Sequence, residues 1–510
     1  MTILEKIREN AARHPERLMM RLPSPDGEKT LTWGALDKDS DRLASYMEKN
    51  VAGKAPVVVY GHKDPLMIVV FLACVKSGRA YCPLDVNLPP ARILQVIDEV
   101  RPEIVFATED FVTDRTDVPL TDAAGIRHIL ETHTGRIAPS SYAGPEDIFY
   151  IIFTSGSSGT PKGVQITTAC IDAFLSWAIT LGRGVSDEAP EVFLNQAPFS
   201  FDLSVMDLFL TLYTGGTLFA LTRGVQSDMR LLLEALGASG AHTFVSTPSF
   251  ADVCLSDPSF DASLLPCVKH FLFCGEVLTN KTVERLMSRF PDAWIVNTYG
   301  PTESTCAVTD VIVSRALNET ESPLPVGRPK KGTTLLIVDG KQQPLPDGET
   351  GEIVIAGDSV SPGYFGNEVL TREKFGTITK DSLTLRTYRT GDAGYLKDGM
   401  LYYAGRIDLQ VKLHGYRIEL EDIEANLLRI DGILQAAVIP KLRQGKVSSL
   451  AACVVTASPV ADEKEFEARL KSQLKENLPE YMVPKKIRFL KDLPRTANGK
   501  IDRRAVGELL

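Results

Sequence analysis

The stretch that decides the fold is IFYIIFTSGSSGTPKG, residues 148–163. Its first half, Ile148–Thr154, is a compact apolar run that predicts a buried strand. Residues 153–163 then bring together three glycines, five hydroxyl side chains and Lys162. Glycines let backbone N–H groups approach phosphate oxygens, hydroxyls donate further hydrogen bonds, and the lysine supplies positive charge. The segment is therefore predicted to be a phosphate-binding loop behind a strand.

Two other interpretations of this loop fit the sequence less well. It does not match the Walker template, because Pro161 stands five positions after Gly156 and no Gly-Lys-Ser/Thr sequence follows. A flexible Ser/Gly linker is the structural alternative. A linker rarely follows a buried strand directly or carries a Pro-Lys-Gly sequence, so the phosphate-binding interpretation is preferred.

Outward from this loop, helical and strand patterns alternate. Helical spacing covers Leu4–Ala12 and Trp33–Glu48. Short apolar runs predict strands at Pro56–Tyr60, Ile104–Ala107, Thr243–Thr247, Lys269–Phe273 and Trp294–Thr298. From about Leu324 the pattern changes to short strands punctuated by Gly and Pro, which indicates a β-rich subdomain. The fold class is α/β, with ligands expected in the loops after the strands.

The charge balance indicates a second domain near the end of the chain. Residues 407–510 carry 18 Lys and Arg against 15 Asp and Glu, whereas the remainder carries 38 against 50. Helices are predicted at Glu421–Arg429 and Glu463–Leu478. We therefore expect an N-terminal domain over residues 1–405 and a small α+β domain over residues 406–510.

Composition limits the classes of function. With 510 residues, 44% hydrophobic, 24% charged and a net charge of −9, the chain is large enough for several cores and is not a dominantly basic nucleic-acid binder. The apolar stretch Pro65–Val75 is far shorter than a membrane span, and the N-terminus lacks the pattern of a secretory signal. The eight cysteines form no CxxC pair. We expect a cytoplasmic protein with no membrane span and no nucleic-acid partner.

Seven ordered segments resemble the adenylate-forming superfamily, which includes acyl-CoA synthetases, luciferases and the adenylation domains of peptide synthetases. They are TSGSSGTPKG (154–163), FDLS (201–204), NTYGPTE (297–303), GETGEI (348–353), YRTGD (388–392), GRIDLQVKLHGYRIELEDIE (405–424) and PRTANGKID (494–502). The resemblance implies a large N-terminal domain with two α/β sheets and a β-rich subdomain, followed by a small, mobile α+β domain.

The resemblance also implies a reaction in two halves, with ATP and Mg²⁺ as cofactors. A carboxylate attacks the α-phosphate of ATP, and a thiol then attacks the resulting acyl-AMP. Lys500 is implied as the catalytic lysine that bridges the substrate carboxylate and the α-phosphate. By itself a lysine near the end of the chain indicates solvated surface. Asp408 is implied as the hinge about which the C-terminal domain rotates between the two halves.

The matched segments imply a set of ATP-binding residues. Asn297 and Tyr299 are implied at adenine, Asp392 and Arg406 at ribose or phosphate, and Glu303 on Mg²⁺. A solvated turn is the structural alternative for the segment around Glu303. The full set implied for ATP is Thr154, Ser155, Gly156, Ser157, Thr160, Lys162, Asn297, Thr298, Tyr299, Gly300, Pro301, Thr302, Asp392, Tyr403, Arg406 and Lys500.

Asp202 in PFSFDLS separates the subfamilies. Members that activate amino acids place an aspartate in this segment to pair with the α-ammonium of the substrate, and fatty acids or acetate offer no such cation. A buried carboxylate without a partner is costly, so this aspartate favours a cationic guest. A helix N-cap is the structural alternative, because an apolar run begins at Val205.

The choice of substrate is narrowed by three further residues, Cys274, Cys306 and His414. Cys274 in FLFCGE and His414 in KLHG are similar to those superfamily members that charge a separate carrier protein with D-alanine for the D-alanylation of teichoic acid. A thiol at Cys274 could exclude one enantiomer of a small amino acid; a packed core thiol is the alternative. Cys306 departs mildly from the small apolar residue expected beside the substrate methyl. Asp202, Cys274, Cys306 and Lys500 are thus the implied substrate-binding residues.

The expected substrate is D-alanine, and the expected acceptor is a phosphopantetheinylated D-alanyl carrier protein on another polypeptide. Three rival interpretations stay open: an acyl-CoA synthetase for a small acid, an adenylation enzyme for another small amino acid, and a non-catalytic nucleotide sensor. Lys162, Glu303, Asp392 and Lys500 count against the last.

Overall fold

The computed structural model describes residues 2–24, 27–111, 118–156, 159–181, 191–413, 415–443, 446–460, 462–495 and 501–510. The chain divides into two compact units. Unit 1 comprises Met1–Asp85, Val100–Ile152 and Gly163–Ile407; unit 2 comprises Val86–Glu99, Phe153–Lys162 and Asp408–Leu510. The domain boundary expected from the sequence at residues 405 and 406 stays a prediction.

The described strands follow in chain order. The first thirteen are β1 Leu18–Ser24, β2 Gly27–Thr32, β3 Val57–Tyr60, β4 Tyr81–Leu84, β5 Val105–Ala107, β6 Leu120–Thr121, β7 Ile148–Thr154, β8 Lys162–Thr167, β9 Val192–Asn195, β10 Thr217–Ala220, β11 Thr243–Ser246, β12 His270–Phe273 and β13 Trp294–Tyr299. The next thirteen are β14 Thr309–Ile312, β15 Arg328–Pro329, β16 Thr333–Val338, β17 Gly351–Gly357, β18 Gly363–Tyr364, β19 Phe375–Lys380, β20 Leu383–Lys397, β21 Met400–Arg406, β22 Gln410–Leu413, β23 Tyr416–Glu419, β24 Ile433–Arg443, β25 Lys446–Thr456 and β26 Lys486–Leu490.

The described α-helices are α1 Ile3–Arg13, α2 Trp33–Asn50, α3 Pro65–Lys76, α4 Pro90–Val100, α5 Ala123–Thr132, α6 Thr168–Ala178, α7 Leu203–Thr214, α8 Arg223–Ser227, α9 Met229–Ser239, α10 Pro248–Ser256, α11 Asn280–Arg289, α12 Arg315–Thr320, α13 Glu368–Lys374, α14 Leu420–Leu428, α15 Glu463–Asn477 and α16 Arg503–Glu508. Several begin at a side-chain cap; Thr247, for example, accepts a hydrogen bond from the backbone N–H of Phe250 at the start of α10.

The largest sheet of unit 1 has the strand order β15-β14-β13-β12-β11-β9-β10-β1-β2 among the described residues. Strands β11, β12 and β13 are parallel neighbours, so their carboxyl ends meet at one edge of the sheet. The loops that begin at Thr247, Cys274 and Gly300 therefore start side by side, where open α/β sheets bind their ligands.

A second sheet of unit 1 has the order β18-β8-β7-β4-β3-β5-β6. Helix α3 is apolar on nearly every face and is almost entirely buried, as expected of a helix enclosed in a core. Its last residue, Lys76, is fully buried and forms ion pairs with Asp37 and Asp41 over 2.7 and 2.9 Å. The apolar stretch noted in the sequence is thus a core helix.

Antiparallel strands build the remaining sheet of unit 1, in which β16, β17, β20 and β19 are neighbours and β21 pairs with β20. In unit 2, β22 pairs with β23, and β24, β25 and β26 form a separate sheet with α14, α15 and α16 in the same chain segment. This unit has its own apolar core, which includes Ile423, Val454 and Leu474.

The α/β class and the element types predicted from the sequence are confirmed. The predicted β-rich subdomain corresponds to the antiparallel sheet of β16, β17, β19, β20 and β21, and the helices expected near residues 421–429 and 463–478 are α14 and α15. Among the described residues, no helix combines the length and the apolar character that a membrane span requires.

Candidate active site

Asp202 immediately precedes α7 and is buried. Its side chain makes no capping hydrogen bond to that helix within the described part of the chain. Its Oδ2 atom instead accepts a hydrogen bond of 2.6 Å from the Thr302 hydroxyl. The helix N-cap interpretation is therefore wrong in its chemistry: the carboxylate is directed toward the NTYGPTE segment.

Cys274 and Cys306 lie next to each other in the core of unit 1. The Sγ atom of Cys274 is 3.6 Å from the backbone oxygen of Cys306, and both side chains are buried. The Cys274 thiol, burial and the charge of Asp202 raise the pKa of Cys306. Cys306 is thus a neutral thiol within electrostatic reach of the Asp202 carboxylate. Of the described residues that the sequence assigned to the substrate, Cys274 and Cys306 are in direct contact, and Asp202 contacts Thr302.

The backbone at Thr305 and Cys306 adopts an unusual conformation. Thr305 and Cys306 have φ angles of 61° and 67°, in the left-handed region that β-branched residues avoid. The Thr305 hydroxyl donates a 2.8 Å hydrogen bond to the carbonyl of Ser359, which helps to hold this turn. A Cβ atom on Gly300 would lie 2.6 Å from the Cα atom of Ala307, so glycine is needed there. The sequence analysis missed Thr305, since a non-glycine residue gives no sign of positive φ.

Asp392 is the centre of a second group in unit 1. Its Oδ2 atom accepts a 2.6 Å hydrogen bond from the Tyr299 hydroxyl, and its Oδ1 atom lies 2.8 Å from a guanidinium nitrogen of Arg406. Arg406 is opposite Asp392 in the register of β20 and β21. Burial, followed by the charge of Asp392, raises the pKa of Tyr299 well above its ordinary value. The phenol therefore stays protonated and donates.

The residues implied for ATP on β13 and β21 have two kinds of contact. The rings of Tyr299 and Tyr403 are neighbours, with centroids 6.2 Å apart. The Asn297 side-chain amide donates to the carbonyl of Pro325, and the Thr298 hydroxyl donates to the carbonyl of Phe273, each over 2.8 Å. The side-chain donors of Asn297 and Thr298 thus stabilise the protein itself.

Glu303 is fully buried at the short helical turn that follows Pro301. Its Oε1 atom accepts a 2.8 Å hydrogen bond from the Tyr364 hydroxyl, which lies 3.4 Å from the hydroxyl of Tyr388. A solvated turn is therefore the wrong interpretation of this segment. The sequence analysis missed Tyr364, which orients the carboxylate from a strand 61 residues away.

The phosphate-binding loop predicted from the sequence belongs to unit 2 from Phe153 to Lys162. A Cβ atom on Gly156 would lie 2.2 Å from the carbonyl oxygen of Thr160, so the close approach of the two backbones requires glycine. The Thr154 hydroxyl is buried without a hydrogen-bond partner among the described residues. The backbone thus comes close to itself between Gly156 and Thr160, as is suitable for phosphate binding by backbone N–H groups.

Within unit 2, the β23 strand contacts this loop. Ser155 donates its hydroxyl to the carbonyl of Arg417 over 2.8 Å and accepts from the backbone N–H of Glu419 over 3.3 Å. The Lys162 ammonium is 3.4 Å from Oε1 of Glu419. Ser155 and Lys162, two of the loop residues implied in phosphate binding, are therefore engaged by protein groups.

The remaining site residues predicted from the sequence have fewer described contacts or lie outside the described residues. Asp408, the expected hinge, accepts a 3.2 Å hydrogen bond from the backbone N–H of Gln410, and its hinge role stays a prediction. Pro301 continues the strand β13 into the turn that carries Glu303. Ser157, His414 and Lys500 lie outside the described residues.

Comparison with known proteins identifies relatives over almost the whole chain. The profile of a family described as AMP-binding enzyme matches residues 7–365, and that of the AMP-binding enzyme C-terminal domain matches residues 422–500. Two similar curated proteins are each named D-alanine--D-alanyl carrier protein ligase. One, from Bacillus cytotoxicus, is 42% identical over 510 residues, which cover 99% of this chain and 98% of the relative. The other, from Listeria welshimeri, is 45% identical over 489 residues, which cover 94% of each chain.

A solved structure has a similar fold. It is that of an NRPS protein containing adenylation and PCP domains, bound to a vinylsulfonamide inhibitor. The TM-score is 0.83 at 28% sequence identity, and the match covers 100% of this chain and 84% of that one. The resemblance drawn from the seven sequence segments is confirmed by these matches.

Proposed function

The chain belongs to the AMP-binding enzyme family, and we propose that it is an ATP-dependent, AMP-forming ligase for D-alanine. It converts D-alanine and ATP to D-alanyl-AMP and pyrophosphate. It then transfers the D-alanyl group to the phosphopantetheine thiol of a D-alanyl carrier protein and releases AMP, for the D-alanylation of (lipo)teichoic acid. The two relatives of that name, at 42% and 45% identity, support this substrate and acceptor. Since the reaction consumes ATP, we place it in the cytoplasm.

One observation carries the choice of substrate: the Asp202 carboxylate is buried, and its charge acts on the buried thiol of Cys306. A buried carboxylate is stabilised by a cation, and the α-ammonium group of an amino acid provides one. Cys274 and Cys306 are proposed to line the space for a small side chain. These features favour a small amino acid over acetate or a fatty acid, which have no ammonium group.

In the first half-reaction, the substrate carboxylate forms a bond to the α-phosphorus of ATP, and the bond to pyrophosphate breaks. Asp202 binds the ammonium group, and the Thr302 hydroxyl orients Asp202. Asp392 accepts hydrogen bonds from the ribose hydroxyls, with Tyr299 and Arg406 fixing its orientation. Fixed donors and charges lower the barrier without reorganisation during the reaction.

We assign phosphate binding to the loop. Its phosphate-binding residues are Thr154, Ser155, Gly156, Ser157, Thr160 and Lys162. Lys500 is assigned as the catalytic residue that contacts the α-phosphate. The Glu303 carboxylate suits Mg²⁺, because this ion is commonly bound through one or two carboxylates together with substrate phosphates. When bound, Mg²⁺ would neutralise phosphate charge. Tyr364 fixes one oxygen of Glu303 and so orients the carboxylate.

In the second half-reaction, the thiol loses its proton to solvent, its sulfur bonds to the carbonyl carbon of D-alanyl-AMP, and the bond to AMP breaks so that AMP leaves. The protein residues hold the substrate and the leaving AMP; no covalent bond to the enzyme is needed. Asp408 is proposed as the hinge that changes the arrangement of the C-terminal residues between the two half-reactions.

The test is ATP–pyrophosphate exchange measured side by side with D-alanine, L-alanine, glycine, D-serine and acetate. We expect D-alanine to give the highest kcat/KM. A preference for L-alanine, glycine or D-serine would indicate an adenylation enzyme for another small amino acid, and acetate turnover would indicate an acyl-CoA synthetase. No exchange with any of them, with unchanged nucleotide binding in Lys500→Ala, would indicate a nucleotide sensor.

A further inference from the structure

Arg92 occupies an unexpected position in unit 2. It lies on α4 and is 6% exposed. One guanidinium nitrogen donates a 3.2 Å hydrogen bond to the carbonyl of Gly159 in the phosphate-binding loop, and the other lies 3.2 Å from Oδ2 of Asp422 on α14. A single side chain therefore joins the loop to the helix.

Asp422 is fully buried and is held from two sides. Besides Arg92, the side-chain amide of Asn426 donates to its Oδ1 atom over 3.0 Å. Burial lowers the pKa of Arg92 and raises the pKa of Asp422, and each charge opposes the shift of the other. Removing either partner leaves an uncompensated buried charge, so the two residues act as a unit.

The same helix start carries Glu419, which contacts Lys162 as described above. The Gln410 side-chain amide donates to Oε1 of Glu419 and fixes this carboxylate. Ser155 is engaged by the backbone of the same segment. The Glu419 carboxylate thus contacts Lys162, the residue that was expected to bind phosphate oxygens. Glu419 and a phosphate group therefore compete for the Lys162 ammonium group.

We propose that Arg92 is a positioning residue for the thiol-transfer half-reaction: by joining Gly159 to Asp422 it holds Glu419 on Lys162, in the place of the departed pyrophosphate. This inference rests on the proposed two-step function. While ATP is bound, its phosphates interact with Lys162 and the Glu419–Lys162 ion pair is broken. The ion pair forms after pyrophosphate leaves. The ion pair therefore favours the transfer half-reaction over the reverse of the first.

The first experiment separates the half-reactions in Asp422→Asn. ATP–pyrophosphate exchange with D-alanine reports on the first, and single-turnover transfer from bound D-alanyl-AMP to phosphopantetheine reports on the second. We expect transfer to slow by at least about tenfold, with exchange within about twofold of the unmodified protein. Asp431→Asn, the same change at an exposed carboxylate beyond α14, is the control and should alter neither rate.

The second experiment does not require disruption of the buried ion pair. Glu419→Gln removes the negative charge that competes with pyrophosphate for Lys162. A smaller fraction of the protein then has Lys162 paired with residue 419, so the KM for pyrophosphate in the exchange reaction should fall about fivefold. Arg92→Lys, which keeps the charge but offers one donor group in place of a fork, should slow transfer by about threefold or more relative to the unmodified protein while exchange stays within about twofold. Equal losses in the two half-reactions of this variant would overturn the proposal.

Equal losses in exchange and transfer for Asp422→Asn, or no loss in either, would overturn the proposal. An unchanged KM for pyrophosphate in Glu419→Gln would overturn the replacement of pyrophosphate by this carboxylate. If Asp422→Asn fails to fold, as judged by its thermal midpoint, Glu419→Gln and Arg92→Lys decide the matter. Absence of D-alanine-dependent exchange in the unmodified protein would contradict the proposed function instead, and the two failures are thus distinguishable.

Discussion

The hydroxyl of Thr302 donates a 2.6 Å hydrogen bond to Oδ2 of Asp202, although the two residues are 100 positions apart in the chain. The contact links the turn that carries Glu303 to the residue proposed to bind the substrate ammonium. Both side chains are buried, so the orientation of this carboxylate is coupled to the turn next to it.

Thr302→Val should raise the KM for D-alanine by about tenfold or more, because a buried carboxylate loses a hydrogen bond that is worth roughly 1.5–3 kcal/mol. Steady-state exchange kinetics with varied D-alanine would measure it. Thr302→Ser keeps the hydroxyl and should restore most of the affinity. A normal KM in the valine variant would show that Thr302 does not orient Asp202.

Tyr299→Phe should raise the KM for ATP by about five- to tenfold, since Asp392 loses one of the two groups that orient it and a typical hydrogen bond contributes about 1 kcal/mol. The KM for D-alanine should change little. Exchange kinetics with each substrate varied in turn would check this split. Equal increases in both KM values would indicate a general disturbance of the fold.

Cys274→Ala should increase kcat/KM for L-alanine by about tenfold or more while that for D-alanine changes less, because the smaller side chain opens space near the substrate. Cys267→Ala, at an exposed cysteine, is the matched control. The ratio of D- to L-alanine exchange measures the effect. An unchanged ratio would support the alternative in which Cys274 is simply a packed core thiol.

Asp207→Asn should become more stable relative to the unmodified protein as the pH rises. Burial, opposed by Asn195 and by the charge of Lys63, raises the pKa of Asp207 well above 3.8. Above pH 3.8 the unfolded state releases a proton that the folded state keeps. The stability of the folded state therefore falls as the pH rises from 3.8 to the raised pKa of Asp207. The asparagine variant lacks this loss. Urea midpoints at pH 5, 7 and 9 would test it; a constant difference would refute it.

Reversing the charge of Lys485 and Lys486 should slow transfer to the carrier protein more than adenylate formation. Both side chains are exposed, and an acidic carrier would be attracted to them. The double variant Lys485→Glu/Lys486→Glu would be compared with Lys464→Glu/Lys475→Glu, which changes two exposed lysines of α15. Equal losses in both half-reactions would exclude a docking role.

Much of the fold could be predicted because its signals are local. The apolar runs at β7, β12 and β13 are short and are bounded by glycine or polar loops, so their type follows from pattern alone. The residues proposed for the substrate site were also identified from the sequence, yet their partners were not. Tyr364 on Glu303 and Thr302 on Asp202 are contacts between distant segments, which no local pattern reveals.

The sequence by itself determined the α/β architecture and the family, and it predicted a phosphate-binding loop, because periodic burial and glycine-rich turns are properties of neighbouring residues. Only the tertiary structure decided that Thr305 and Cys306 take left-handed conformations and that Asp202 is bound by Thr302. It alone brought Arg92 to Gly159 and Asp422. These relationships depend on packing between distant segments, where the free energy of buried hydrogen bonds and ion pairs outweighs local backbone preference.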